Sequence, residues 1–560
     1  VLDNFEQVLG AAGVVPDLLD GSSGLRILVT SREPLHVAGE QEYPVTPLSV
    51  PEGSTPGAVA GSEAVALFVE RAAAVDPSFE LTDENAGTVG ELCSRLDGLP
   101  LAIELAASRV KMLPPSAILQ RLEHRLELLT GGSVDVPQRQ RTLREAIAWS
   151  HDLLHEDERT LFRRLSVFAG GWDLDSAEAV AGSDDVGRLD VFEVLGSLVD
   201  KSLVRRLPAA EDARFGMLES IREFAAQELD ASGEADAVRD RHAATFLSLA
   251  ELAEPQLRST DQVAWLDRLE LEHDNLRTAL GWIIERGNAP MGMRLAWALW
   301  RFWHLHSHLA DGRRWAEAML ALPGAEARTP DRLAGLNSFG GLAYWQQDVA
   351  AFRPAYEEAL DIARELRDRR AEAEGLYNLC FAFALEGDFP TTISLVEQST
   401  EMAKELDMPQ LLGDCVWLLG IAARVNGDLP RSRELAEESL RIHRERGDVF
   451  GETVCLFGLG RTAWEQGDLD IGRSSFLQAL DYDERISNRT GMTTTLDNLA
   501  AQASGRGEHL RALRLAGASD ALKESVGGRA PDPLIDLPDP REAARAELGD
   551  AAVGAAWEEG

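Results

Sequence analysis

Leu419-Gly420-Ile421-Ala422-Ala423-Arg424-Val425-Asn426-Gly427-Asp428 and, 40 residues on, Leu459-Gly460-Arg461-Thr462-Ala463-Trp464-Glu465-Gln466-Gly467-Asp468 carry a leucine, a small residue and a closing Gly-Asp at matching places. The match extends in both directions. Asp348, Asp388, Asp428, Asp468 and Glu508 form one column at this period, and Gly387, Gly427, Gly467 and Gly507 precede the last four. Leu379, Leu419, Leu459 and Leu499 form a second, and Gly340, Cys380, Gly420, Gly460 and Ala500 a third. Small residues let neighbouring helices approach, leucines supply core, and Gly-Asp supplies the turn that ends a helix. Each period is therefore one helical hairpin in a stack. The period exceeds the ~34 residues of a tetratricopeptide (TPR) unit, so the expected form over 331–525 is a TPR-like superhelix with lengthened helices.

Working towards the start, residues 231–330 read as a helical linker with a degenerate repeat. Residues 141–230 read as helices followed by two short β segments, Ser202-Leu203-Val204-Arg205-Arg206 and Arg214-Phe215-Gly216-Met217, the pattern of a winged helix. Residues 61–140 are helical with a break at Gly98-Leu99-Pro100, a proline that the first turn of the next helix tolerates. Residues 1–60 alternate strand, helix and strand, ending in a Pro/Gly/Ser-rich loop from Pro51 to Ser62. That is the pattern of a parallel α/β sheet. Residues 526–560 read as an acidic helical tail.

At 560 residues the chain is multi-domain. The net charge of −39 repels phosphate backbones, so bulk nucleic-acid binding is disfavoured. Cys93, Cys380, Cys415 and Cys455 lie far apart with no CxxC pair, arguing against a disulfide framework or a zinc site built on cysteine. No signal segment or membrane-length apolar run is present, which points to the cytoplasm. His304 and His308 lie one helical turn apart, with His306 between them. No third metal ligand is evident, and Trp297, Trp300 and Trp303 beside them favour an aromatic packing helix. Across the winged-helix stretch acidic residues outnumber basic ones, and the local pairs Arg163-Arg164 and Arg205-Arg206 read as solvated.

Leu2-Asp3-Asn4 closes the first strand, where an α/β ATPase places the acid that holds Mg²⁺ through water; an Asp capping the following helix is the plainer alternative. Leu28-Val29-Thr30-Ser31-Arg32 closes the second strand at the same sheet edge, where ligands of such sheets bind. Taken with Leu96-Asp97-Gly98-Leu99-Pro100-Leu101-Ala102-Ile103-Glu104-Leu105, Leu165-Ser166-Val167-Phe168-Ala169-Gly170-Gly171 and Leu198-Val199-Asp200-Lys201-Ser202-Leu203-Val204, these runs resemble the bacterial STAND-class, NB-ARC-like signal-transduction ATPases of LuxR-type and antibiotic-regulatory transcriptional activators. The resemblance implies a partial P-loop NTPase core, a helical lid, a winged helix and a repeat sensor, switched between ADP and ATP with Mg²⁺. It makes Asp3 the Walker B acid and Mg²⁺ ligand, Arg32 the phosphate sensor and Pro100 the residue packing on adenine.

Three departures qualify it. Asn4 stands where hydrolytic relatives often carry a second acid, and Met217-Leu218-Glu219 replaces the family's Met-His-Asp. No lysine follows a glycine anywhere, so the GxxxxGK[ST] loop that cradles phosphates is absent. The expectation is that it precedes Val1 in a longer protein. On this reading a protein or small-molecule inducer binds the repeats, activation can bring self-association, and DNA is contacted only through a domain outside this span. The alternatives are a nucleotide-independent TPR-like scaffold and the ATPase arm of a nucleotidyl cyclase. Calorimetry should show weak or no binding of ATP or ADP by this chain. Tight Mg²⁺-dependent binding would mean that the core is misplaced.

Overall fold

The structure, a computed structural model, describes the chain apart from residues 3–4, 23, 32–33, 44, 52–58, 60, 78, 122–142, 183–189, 209–212, 527–536 and 538. It divides into two compact units, Val1–Thr245 and Phe246–Gly560.

In the first unit the expected α/β sheet does not form among the described residues, whose named strands are three and all lie further along. Leu2 and Val29 meet in a single parallel bridge, with the Leu2 amide donating to Leu28 and the Thr30 amide to Leu2, both at 2.9 Å. Parallel strands persist when both faces are covered. Here Val1 is 89% and Leu28 66% exposed, and a 3₁₀ helix, Phe5–Ala11, follows. Helices Glu63–Val75, Asp83–Arg95, Pro100–Ala107 and Pro115–Arg121 come next. Asp97 and Gly98 both take positive φ in the break between the second and third. A Cβ on Gly98 would lie 2.2 Å from the Leu48 carbonyl oxygen, so glycine is required where these backbones cross.

The winged helix follows. Helices Glu156–Arg164, Leu174–Ala181 and Val191–Asp200 pack beside strands β1 (Trp172–Asp173), β2 (Arg205–Leu207) and β3 (Arg214–Gly216), joined antiparallel in the order β1-β3-β2. β1 was not legible in the sequence because two residues carry no alternation. Arg163 and Arg164, expected to be solvated, both ion-pair with Glu234, at 2.6 and 2.7 Å. Lys201 lies 2.6 Å from the buried Glu158. These cations hold the domain together.

The second unit is a stack of helical hairpins. Six run from Ala289–Leu305 with Leu309–Leu320 to Arg489–Gly505 with His509–Val526. The turn inside each falls on the 40-residue column at positive φ: Ser307 (64°), Gln347 (59°), Gly387 (80°), Gly427 (80°), Gly467 (84°) and Gly507 (76°). In three of them the Asp that follows caps the second helix: Asp348, Asp388 and Asp428 accept from the amides of Ala351, Thr391 and Arg431. The array thus begins earlier than the glycines show, with Ser307-His308 in the place of Gly-Asp. The small-residue column accommodates a side chain from the second helix of the same hairpin. A Cβ on Gly340 would sit 2.4 Å from the Tyr356 ring, and one on Gly460 2.7 Å from Phe476. The tail helices Pro540–Leu548 and Asp550–Glu559 cover the last hairpin through Leu513, Ala544, Val553 and Ala556, the role a capping element plays in a solenoid.

Two glycines separate the sources of strain. Gly460→Ala overpacks the buried Phe476 and should cost about 1–3 kcal/mol. At Gly427 nothing lies within 4 Å of a Cβ. Gly427→Val should therefore cost about 1 kcal/mol or more through positive φ alone. Urea unfolding and hydrogen exchange check both: exchange should quicken in the altered hairpin and its neighbours, with the first unit unchanged. Uniform loosening would contradict a stack of nearest-neighbour contacts.

Candidate functional site

The first helices of successive hairpins line two adjoining cavities inside the second unit. One is about 460 Å³ with a mixed polar and apolar lining, the other about 150 Å³ and mostly apolar; Tyr344, Trp345, Phe381, Trp417 and Phe450 border both. The larger falls in the size range of small-molecule sites. The lining follows the repeat period. Trp297, Asn337, Tyr377, Trp417 and Phe457 are one column, and Arg301, Gly341, Phe381, Ile421 and Arg461 another, four residues on and so on the same helical face. Of the three tryptophans expected in the core, only Trp303 is fully buried; Trp297 and Trp300 face the cavity. One wall comes from far away in sequence. The 3₁₀ segment Glu254–Arg258 lies against the stack, with Arg258 3.1 Å from Asp414 and, just beyond, the Gln262 side chain accepting from the Phe450 amide at 3.2 Å.

Several polar groups here are buried without partners. Arg301 is 7% exposed, and among the described residues no carboxylate ion-pairs with it. Its guanidinium lies 5.1 Å from the Phe450 ring and 5.6 Å from Trp300, and its Nε has no hydrogen-bond acceptor. Burial, with Arg258 adding to it, lowers the Arg301 pKa to about 10, which leaves it charged at neutral pH. His304 stacks on Trp345 at 3.9 Å with Nε2 unpartnered, and burial beside Arg301 holds it well below the usual imidazole value, hence neutral. Asn337 Oδ1 and Trp417 Nε1 are unpartnered as well. Asp448, Asp414 and Glu254 act on it only through space, and a buried guanidinium held against aromatic faces without a contact ion pair suits the anionic group of an apolar or aromatic ligand.

The carboxylates nearby are engaged. Asp448 caps a helix by accepting from the Gly451 amide and also accepts from Gln410 at 2.7 Å. Burial would raise its pKa, but His443, Arg301 and Arg258 overcome that and hold the carboxyl well below its ordinary range. Asp483, fully buried at the apolar cavity, accepts from Asn488 at 2.6 Å through Oδ1, while Oδ2 has no partner. Burial pushes its pKa well above the usual carboxylate value.

The nucleotide residues expected from sequence fare differently. Asp3 and Arg32 lie outside the described residues; the bridge between Leu2 and Val29 runs close to both in sequence. Pro100 is exposed and opens helix Pro100–Ala107. Beside it, the Asp97 carboxylate accepts from the Glu219 amide at 3.0 Å. The residue just before the Gly-Leu-Pro run therefore meets the Met-Leu-Glu run that stands for Met-His-Asp, a contact no spacing rule revealed. The repeat cavity was missed because its columns vary in residue type; the 40-residue spacing of Trp297, Tyr377, Trp417 and Phe457 was the available signal.

Fold and cavity together define a winged-helix protein with a TPR-like repeat unit. Residues 154–230 match the family model of the winged helix-turn-helix domain. Over 388 residues the chain is 39% identical to a protein of Mycobacterium tuberculosis (strain ATCC 25618 / H37Rv) named as a candidate HTH-type transcriptional regulator, covering 67% of this chain and 42% of that protein. A second M. tuberculosis protein, uncharacterized, is 42% identical over 246 residues, 43% of this chain and 60% of its own length. The chain thus spans less than half the length of the first relative. Among solved structures, a Signal Transduction ATPase with Numerous Domains (STAND) protein with a tetratricopeptide repeat sensor from Pyrococcus horikoshii covers 89% of this chain and 76% of its own, at 14% identity and TM-score 0.33.

Asp483 gives a pH test. A carboxyl with a raised folded-state pKa contributes most below its unfolded value of ~3.9, and that contribution is lost as pH rises. Asp483→Asn keeps an acceptor for Asn488 and cannot ionise. Its urea midpoint should therefore gain on the parent's between pH 5 and pH 8; a constant difference would show that Asp483 does not titrate in this way.

Proposed function

We propose that the chain is the switch-and-sensor portion of a bacterial transcriptional regulator, in which the repeat cavity binds a small anionic inducer carrying an apolar or aromatic body. The observation that carries the reading is the unpaired Arg301 guanidinium with neutral His304 and Asn337 in an aromatic-walled cavity. The winged-helix match and the relative named as a regulator support transcriptional control as its output. The sequence motifs support a nucleotide switch of the STAND, NB-ARC-like type in the cytoplasm. In that switch Asp3 would hold Mg²⁺ through water, Arg32 would report the terminal phosphate of ATP and Pro100 would pack on adenine. Inducer would shift the balance between ADP and ATP forms only through unequal affinity for them.

On this reading the winged helix serves regulation, and DNA is read by a domain outside this span. Its helix Val191–Asp200, which precedes the β2-β3 hairpin, exposes Phe192, Glu193, Gly196 and Asp200, with no cation among them. Such a face is repelled by phosphate. Among the described residues no helix is long and apolar enough to cross a membrane.

Thermal unfolding of the full chain with aromatic monocarboxylates, each paired with its primary amide, tests the inducer reading. An acid at about 100 times its Kd stabilises the fold by about 2.7 kcal/mol. The acids should raise the Tm, the amides should not, and Arg301→Met should abolish the response. Equal shifts from acid and amide, or an undiminished shift in Arg301→Met, would remove Arg301 from ligand recognition.

A further inference from the structure

The histidine-rich run Trp303-His304-Leu305-His306-Ser307-His308 divides between two sites. His304 faces the aromatic cavity. His306 and His308 point instead to Glu270, because Ser307 between them takes positive φ (64°) at the hairpin turn and brings both imidazoles to one side. Glu270 Oε2 lies 3.0 Å from His306 Nδ1 and 2.9 Å from His308 Nε2. Glu270 belongs to helix Gln262–Leu271, and the next helix begins at His273. The His273 ring lies 4.0 Å from that of His308, and ligand atoms of Glu270, His273 and His308 all fall within 4.8 Å of one another. All three imidazoles pack around the buried Phe302 ring, at 5.5 Å for His273 and His308 and 5.3 Å for His306.

We propose that Glu270, His273 and His308, with His306 as the fourth donor, form a binding site for one divalent transition-metal ion, with zinc the best match. Imidazole nitrogens with one carboxylate are a borderline donor set that suits zinc and its neighbours and excludes magnesium or calcium, which take oxygen. Four ligands at zinc-nitrogen and zinc-oxygen distances of ~2.0–2.2 Å stand about 3.4 Å apart around a tetrahedron. The 2.9–3.0 Å separations of Glu270 Oε2 from His306 and His308 need a small spreading of side chains, and His273, within 4.8 Å of Glu270 and His308, must move inward to join them. Phe302 fixes the rings from the buried side, and the 46% exposed Glu270 side chain leaves the ion a way in from solvent. The donors come from two helices and a turn, so a bound ion ties the helix before the array to the first hairpin turn. The site is separate from the cavity and does not depend on its ligand.

The test uses the full chain, dialysed free of metal and titrated with ZnCl₂ by calorimetry and with CoCl₂ by visible absorption. The expected result is one ion per chain, intense tetrahedral cobalt bands and a higher Tm in the presence of metal. His308→Asn and Glu270→Gln should each weaken zinc binding by about 100-fold or more and lose those bands, while their metal-free melting stays close to the parent's. Should either variant fail to fold, His273→Asn supplies the same readout. No binding tighter than millimolar, octahedral cobalt spectra, or variants that bind as the parent does would overturn the site and leave a hydrogen-bonded cluster only.

Discussion

The repeat unit depends on one packing relation, in which a side chain on the second helix of a hairpin fills the space left by a small residue on the first. Tyr356 faces Gly340 and Phe476 faces Gly460, each contact closer than a Cβ would allow. The same column brings Cys380 and Val396 into one buried cluster. Interiors are packed densely enough that one methyl group is felt, so this relation fixes how near the two helices lie. Helix spacing in turn sets how each hairpin stacks on the next. The direction in which the remaining faces of the first helices point follows from that stacking, and those faces carry the cavity.

A division of labour between helix faces results. Positions that pack repeat their residue type every 40 residues, because each hairpin meets the same neighbour in the same way. Positions that face the cavity keep the spacing and vary the residue: Trp297, Asn337, Tyr377, Trp417 and Phe457. Within them a buried, unpaired Arg301 and a neutral His304 sit beside engaged carboxylates such as Asp448. A lumen whose walls vary while its frame repeats can change ligand without changing fold. The winged helix shows the reverse economy, since Arg163, Arg164 and Lys201 are consumed in holding the domain together.

What the sequence determined by itself was whatever depends on local conformation. The turns at Gly387, Gly427, Gly467 and Gly507, the capping acids Asp388 and Asp428 and the small-residue column were legible because positive φ, a free amide and a close approach each admit few residue types. The β2-β3 hairpin of the winged helix was legible for a similar reason. Ser307 and Gln347, which hold the same turn at the same φ sign, were not, because a conformation glycine merely favours is open to other residues when packing enforces it.

Tertiary structure decided the rest. The α/β reading of residues 1–60 rested on apolar runs that need cover on both faces, and only a single Leu2-Val29 bridge forms among the described residues. The contact of Asp97 with the Glu219 amide joins positions 122 residues apart. The Arg258-Asp414 pair joins positions 156 apart and helps build one wall of the cavity. Glu270 meets His306 and His308 only because Ser307 turns the chain and the preceding helix lies alongside. No periodicity encodes such meetings, since each depends on where two distant segments are carried by everything packed between them.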